Sequence, residues 1–325
     1  MATNWDNMDF FKFDTEVWSK LVEMLAFDAS SPMTLTSGFF LFAFLIFGLG
    51  YMAVRNNRAM RTLYVVAVSL YFYYKISGLY LLLMLFVAIS DYLIGGCIVK
   101  RRAAGRGARG WVALSMLFNV GILAYFKAGG LFEEAVNSIF GSGTLNFGEI
   151  IVPAGVSFFV FQSISYVIDL SRGVISPVKH FTDYLFLLSF FPKVFLGPLV
   201  RNKEFIPQIE RETVVVTRED QGRAVVLIAT GMVKYAVIAK AIDALLLIPA
   251  MAGDFGESGV VMLVALYGFG IRLYCDFSGY SDIAIGIALV MGYRLPPNFD
   301  APYKSATITE FWRRWHMSLS TWLRD

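Results

Sequence analysis

Leu79-Tyr-Leu-Leu-Leu-Met-Leu-Phe-Val-Ala-Ile-Ser-Asp-Tyr-Leu-Ile-Gly-Gly-Cys-Ile-Val99, followed at once by Lys100-Arg101-Arg102, decides the fold class of this chain. The apolar run has the length a helix needs to cross hydrocarbon, about 20 residues, and a cationic cluster closes it. Comparable runs recur at roughly 35 to 54, 62 to 76, 111 to 127, 150 to 170, 222 to 248 and 259 to 275, with a further apolar segment at 277 to 292. The stretch from Tyr184 to Val200 differs: Pro192, Lys193, Gly197 and Pro198 interrupt it, so it reads as re-entrant or interfacial.

Composition agrees. Hydrophobic residues make up 57% of the chain and charged residues 16%, with a mean hydropathy of +0.61, whereas soluble domains carry about 25% charge. The expectation is an all-α polytopic membrane protein, a helical bundle of about seven to nine transmembrane or re-entrant helices. It divides into an extracytoplasmic N-terminal segment, 1–34, and one membrane domain, 35–325. The acids of the first segment (Asp6, Asp9, Asp14, Glu16, Glu23, Asp28) precede no basic, signal-like start.

Loop charges set an orientation, because Lys and Arg accumulate on the cytoplasmic side. Arg55, Arg58 and Arg61 mark one connection as cytoplasmic; Lys100, Arg101, Arg102, Arg106 and Arg109 mark another. Residues 129–149 carry Glu133, Glu134 and Glu149, and 249–258 carry Asp254 and Glu257, in both cases without Lys or Arg. The N-terminus is therefore expected outside. The basic run at 100–110 reads as a topology signal rather than a nucleic-acid or anionic-lipid patch. Residues 201–223 read as a cytoplasmic segment lying against the membrane.

Cys97 and Cys275 sit in or beside apolar runs, which predicts small buried hydrophobes rather than a disulfide. Only two histidines are present, His180 and His316, and their separation gives no metal-ligand spacing. His180 stands at a loop boundary and reads as a surface residue. Chemistry concentrates instead in three late segments. Arg272-Leu-Tyr-Cys-Asp-Phe-Ser-Gly-Tyr-Ser-Asp282 places Arg272, Asp276, Ser278, Ser281 and Asp282 inside an apolar stretch, where charge must face a partner or a cavity. Arg272 and Asp276 are spaced for a helical ion pair; Asp276 and Asp282 are also candidates for the wall of a substrate path. Residues 292–303 hold Pro296, Pro297 and Pro302 and read as a rigid loop. After it, Thr307 or Thr309 is expected to N-cap one helix carrying Glu310, Phe311, Trp312, Arg313, Arg314, Trp315, His316, Leu319 and Trp322. On that helix Trp312, Trp315, Leu319 and Trp322 share a face, His316 lies beside Trp312 and Arg313, and the nearby cations hold the imidazole neutral. An interfacial helix with an aromatic belt and snorkelling arginines accounts for the same residues equally well.

Asp276-Phe-Ser-Gly-Tyr-Ser-Asp282, Asn298-Phe299, Pro302-Tyr303 and Thr309-Glu-Phe-Trp-Arg-Arg-Trp-His-Met-Ser-Leu-Ser-Thr-Trp-Leu-Arg-Asp325 closely resemble the membrane-bound O-acyltransferase family, and within it the bacterial alginate O-acetylation branch. Residues 153–169 and 183–201 resemble the same branch. The resemblance implies an enzyme moving an acyl group, usually acetyl, from a cytoplasmic thioester such as acetyl-CoA towards an extracytoplasmic acceptor for cell-surface polysaccharide O-acetylation. It implies no bound cofactor and a periplasmic or extracellular SGNH-type acyltransferase as partner, beside membrane lipid. It gives His316 the role of general base or acyl relay, with Asp276, Ser278, Asp282, Glu310, Trp312, Arg313, Arg314 and Trp315 as substrate path or support. Arg313 and Arg314 fit a donor's phosphates. Family members also place a second histidine in a later membrane helix, a role neither His180 nor His316 fills, and the expectation is a C-terminally truncated chain. D-alanyl transfer to teichoic acid, and a transporter or non-catalytic membrane protein, stay open as alternatives.

Overall fold

The computed structural model describes residues 10–30, 32–141, 143–148, 150–256 and 258–325. Asp6, Asp9, Glu149 and Glu257, which entered the charge reading above, lie outside them. Among the described residues every regular element is helical: α1 (Phe10–Leu25), α2 (Gly38–Val54), α3 (Arg58–Ser77), α4 (Leu81–Ala103), α5 (Arg109–Phe140), α6 (Val156–Arg172), α7 (Phe181–Ser189), α8 (Asn202–Glu210), α9 (Arg218–Ala252), α10 (Gly259–Val290), α11 (Ile308–Arg314) and α12 (Met317–Arg324).

Among the described residues four helical runs are long and apolar enough to cross a membrane: Arg58–Ala103, Arg109–Phe140, Arg218–Ala252 and Gly259–Val290, with Gly38–Val54 a shorter apolar helix. The first, at 46 residues, would span about 70 Å as one helix, twice a hydrocarbon core. Gly78, in the positive-φ region at φ 57, breaks it into α3 and α4. This is a polytopic membrane protein. Starts follow from side chains: Ser37, Asn57 and Ser258 accept a backbone N–H at the heads of α2, α3 and α10, and Thr217 with Asp220 forms a capping box at α9.

The expected spans at 259–275 and 277–292 are one helix, α10, uninterrupted through Asp276. Its charges do not break it because they find partners on α9, and the two helices approach closely at glycines. A methyl group on Gly279 would lie 2.8 Å from the Gly231 carbonyl oxygen, and one on Gly286 would lie 2.9 Å from that of Ala224. Small residues seven apart on each helix thus bring the backbones together, as membrane helix packing requires.

The broken stretch at 184–200 lies at the centre of the protein. After α7 the chain turns irregularly, with Tyr184, Phe186 and Phe190 fully buried and Phe191 packed against the rings of Phe40, Phe47 and Phe72 at 5.4–6.1 Å. Non-helical backbone is tolerated at depth when protein surrounds it and its polar groups are met. Here the Phe191 N–H donates to Ser69 Oγ and the Leu199 N–H to Ser318 Oγ. Within residues 202–210, Phe205, Ile206 and Ile209 of α8 are buried in this core, while Lys203, Glu204 and Pro207 are exposed on its other side.

Candidate active site

The expected single helix over the Trp-Arg-Arg-Trp-His block is two short helices broken at His316. Thr307 caps α11 by accepting the Glu310 N–H. The helix stops at Arg314; Trp315 is extended, and His316 adopts the left-handed conformation, φ 44 and ψ 52. A residue with a Cβ adopts that conformation only where its surroundings enforce it, and such positions gather at functional sites. Ala301, at φ 44, is the other non-glycine example among the described residues and lies in the facing loop.

That loop imposes the break. Asn298, 1% exposed, accepts the Met317 N–H on its backbone oxygen at 2.9 Å, and the Asp300 N–H donates to the Arg314 oxygen at 3.0 Å. Two backbone bonds therefore clamp the chain on either side of Trp315-His316. The Asn298 side chain completes the clamp: its Nδ2 donates to Ser281 Oγ of α10 at 3.0 Å, and its Oδ1 accepts from Ser318 Oγ at 2.5 Å. Ser318 in turn accepts the Leu199 N–H at 3.0 Å. Three segments distant in sequence meet at one buried amide. Pro296 and Pro297, by excluding helix, leave the loop free to run alongside α12.

The imidazole of His316 rests edge-on against Phe277 of α10, centroids 4.7 Å apart. Its Nε2 is buried and has no hydrogen-bond partner. Burial pushes its pKa down to about 4, so the ring is neutral at pH 7 and Nε2 can accept a proton. Burial, rather than the neighbouring arginines, is the cause. Of those, Arg314 is tied up, donating to Glu310 at 2.9 Å and lying 3.6 Å from Asp300, while Arg313 is exposed. Trp315 stacks on Phe311 at 5.5 Å and meets Phe299 edge-on at 5.0 Å; Trp312 is exposed, and Trp322 instead joins Phe161 of α6 at 4.7 Å. The breaking of the helix abolishes the shared aromatic face.

Charges on α10 are paired at membrane depth. Arg272 bonds Asp243 of α9 at 3.1 Å and Asp276 at 3.6 Å, and Lys234 of α9 bonds Asp282 at 2.7 Å. The helical pair is present, yet Arg272 sits closer to Asp243. Lys234 and Asp243 fall in the two π-helical turns of α9, Val233–Ala239 and Asp243–Leu247, which widen the helix and often mark functional segments. Ser278, next to the ring that touches His316, is buried with its Oγ unpartnered. Sequence reasoning missed Lys234 and Asp243, although both stand as charges inside an apolar run; Ser281 was visible as a polar residue in the 272–282 stretch, but its pairing with Asn298 was not.

A cavity of about 630 Å³ opens beside the clamp, between α6, residues 199–204, Pro296, Pro297 and α12. That size suits a small-molecule ligand. Met317 and Ser318, the residues after His316, form part of its wall, and Arg172, Arg201 and Lys203 line it beside Asp169, Glu204 and Asp325, the last paired with Arg201. Among the described residues no three His, Cys, Asp or Glu side chains converge as metal ligands.

Residues 171–325, the segment holding the cations, the clamp and His316, match the membrane-bound O-acyltransferase family. This part of the chain belongs to that family. Over 296 residues the chain is 37% identical to the probable alginate O-acetylase of Pseudomonas aeruginosa, covering 90% of this chain and 56% of that protein. It is 31% identical over 323 residues to the peptidoglycan O-acetyltransferase of Helicobacter pylori, 88% of this chain and 59% of the relative. Against the teichoic acid D-alanyltransferase of Streptococcus thermophilus it is 35% identical over 179 residues, 53% of this chain and 42% of the relative. The chain spans just over half the length of the first two relatives.

Proposed function

We propose that the protein is an O-acyltransferase of the bacterial inner membrane, its N-terminus outside, that moves an acetyl group from a cytoplasmic thioester towards an extracytoplasmic polysaccharide hydroxyl. The observation that carries this reading is His316: a neutral imidazole in an enforced left-handed turn, its buried Nε2 without a partner, inside the family-matched segment. Nε2 accepts the proton of the attacking hydroxyl as the oxygen adds to the thioester carbonyl; collapse expels the thiolate, which leaves as thiol with a proton from the imidazolium. Apolar walls from Phe277, Phe299 and Trp315 exclude the water that would hydrolyse the donor.

The cavity beside Ser318 suits the donor, with Arg172 and Lys203 for its phosphates, a task that Arg314, paired with Glu310, and Arg201, paired with Asp325, cannot take while paired. The identities to an alginate O-acetylase and a peptidoglycan O-acetyltransferase support acetyl as the cargo and a cell-envelope glycan as the destination, reached through an SGNH-type partner. D-alanyl transfer is the second reading, supported by the shorter match to a D-alanyltransferase. In cells that depend on this gene, His316→Ala should abolish ester-linked acetate on the surface polymer while the protein remains in the membrane. Acetate and ester-linked alanine both unchanged overturn the role of His316; loss of ester-linked alanine instead of acetate supports the second reading.

A further inference from the structure

The loop joining α4 to α5 carries a charge imbalance that acyl transfer does not use. Lys100, Arg101, Arg102, Arg106 and Arg109 stand within ten positions, and no acid occurs between Asp91 and Glu133. None of the five enters an ion pair among the described residues. Three of them, Arg102, Arg106 and Arg109, line a hollow of about 550 Å³ with Ser171, Val112 and Ala113. Arg102 is fixed there, donating to the Leu170 oxygen at the end of α6 at 2.8 Å, and a methyl group on Gly173 would collide with its guanidinium. The hollow also faces the head of α5, which has no side-chain cap, so uncompensated backbone N–H groups add to the positive field.

Position selects the ligand. Two spanning helices end at this loop, which sets it at the height of the lipid headgroups. Below the hollow the outer faces of α4 and α5 are apolar and uncovered: Leu93 is 62% and Leu117 70% exposed, and Phe86 meets Phe118 edge-on at 6.3 Å across the two helices. A soluble anion would use the arginines alone, whereas a lipid places its phosphate among them and its chains along that face. We infer that the hollow between α4, α5 and α6 is a binding site for an acidic phospholipid, its phosphate held by Arg102, Arg106 and Arg109.

The test is native mass spectrometry of the detergent-solubilised protein titrated with phosphatidylglycerol and, separately, phosphatidylcholine. Arg106→Gln with Arg109→Gln removes two cations of the hollow; Lys100→Gln with Arg101→Gln removes two cations of the same loop that do not line it. Expected are preferential retention of phosphatidylglycerol and, at about a fivefold effect per basic residue near a charged headgroup, a loss of roughly 30-fold in the first double variant with little change in the second. Equal losses in both would replace a site by diffuse surface attraction and overturn the inference. So would competition by inorganic phosphate at concentrations comparable to the lipid. Thermal midpoints of both variants in phosphatidylcholine, expected to equal the parent's, show that the fold is intact.

Discussion

Asn298→Ala removes the side chain on which the clamp around His316 depends. Two buried hydrogen bonds go, Nδ2 to Ser281 Oγ and Ser318 Oγ to Oδ1, each worth about 1 kcal/mol net. The vacated space and a Ser318 hydroxyl proton with nowhere to donate add about 1–2 kcal/mol. The total of about 3–4 kcal/mol should lower the melting midpoint in detergent by about 4–6 °C for a chain of this size. The backbone bond from Met317 to Asn298 survives the substitution, so the left-handed turn persists but is less tightly held. A displacement of the imidazole by about 1 Å costs about 100-fold in rate. The assay is therefore a pair: the midpoint by intrinsic tryptophan fluorescence, and kcat for acyl transfer. A variant with both values unchanged would refute the clamp, and one with a lower midpoint but full kcat would confine Asn298 to stability.

Three further outcomes follow from the same geometry. At His316 both Ala and Gly should be inactive, but His316→Gly should be more stable than His316→Ala by about 1 kcal/mol, because only glycine adopts φ 44 without strain; equal midpoints would mean the turn is not held. Gly279→Val should lower stability by about 1–3 kcal/mol, since its Cβ would meet the Gly231 oxygen at 2.8 Å, whereas Gly121→Ala, with open space around it, should be neutral in the same melt. With a folded pKa of about 4 for His316 against about 6.5 unfolded, its contribution to stability is fully present above pH 6.5 and is lost as pH falls towards 4. The acid limb of kcat/KM should accordingly lie below pH 5.5, and a limb at 6.5 would show an ordinary hydrated histidine.

The membrane helices were legible because a bilayer imposes length and polarity on each span. Even there α10 was read as two segments, since Arg272, Asp276 and Asp282 look like breaks until Asp243 and Lys234 are seen beside them. The stretch at 184–200 was rightly set apart by its prolines, but whether it lay at a surface or in the core depended on packing partners distant in sequence. The site divided similarly. His316 was visible as a titratable group in a crowded block, and Thr307 as a cap. The break at His316 was not visible, because Phe-Trp-Arg-Arg-Trp-His-Met-Ser-Leu has no glycine or proline to announce one. It is imposed from outside by Asn298 and Asp300, and with it the wrong face was assigned to Trp315 and Trp322 and the wrong cause to the neutral imidazole.

The central claim is that Nε2 of His316 moves the proton in acyl transfer. Purified protein given a radiolabelled acetyl thioester and a polysaccharide acceptor measures it directly, comparing the parent with His316→Gln. In His316→Gln kcat should fall about 10²–10⁴-fold with an unchanged melting midpoint; transfer at the parental rate would rule out that role for Nε2.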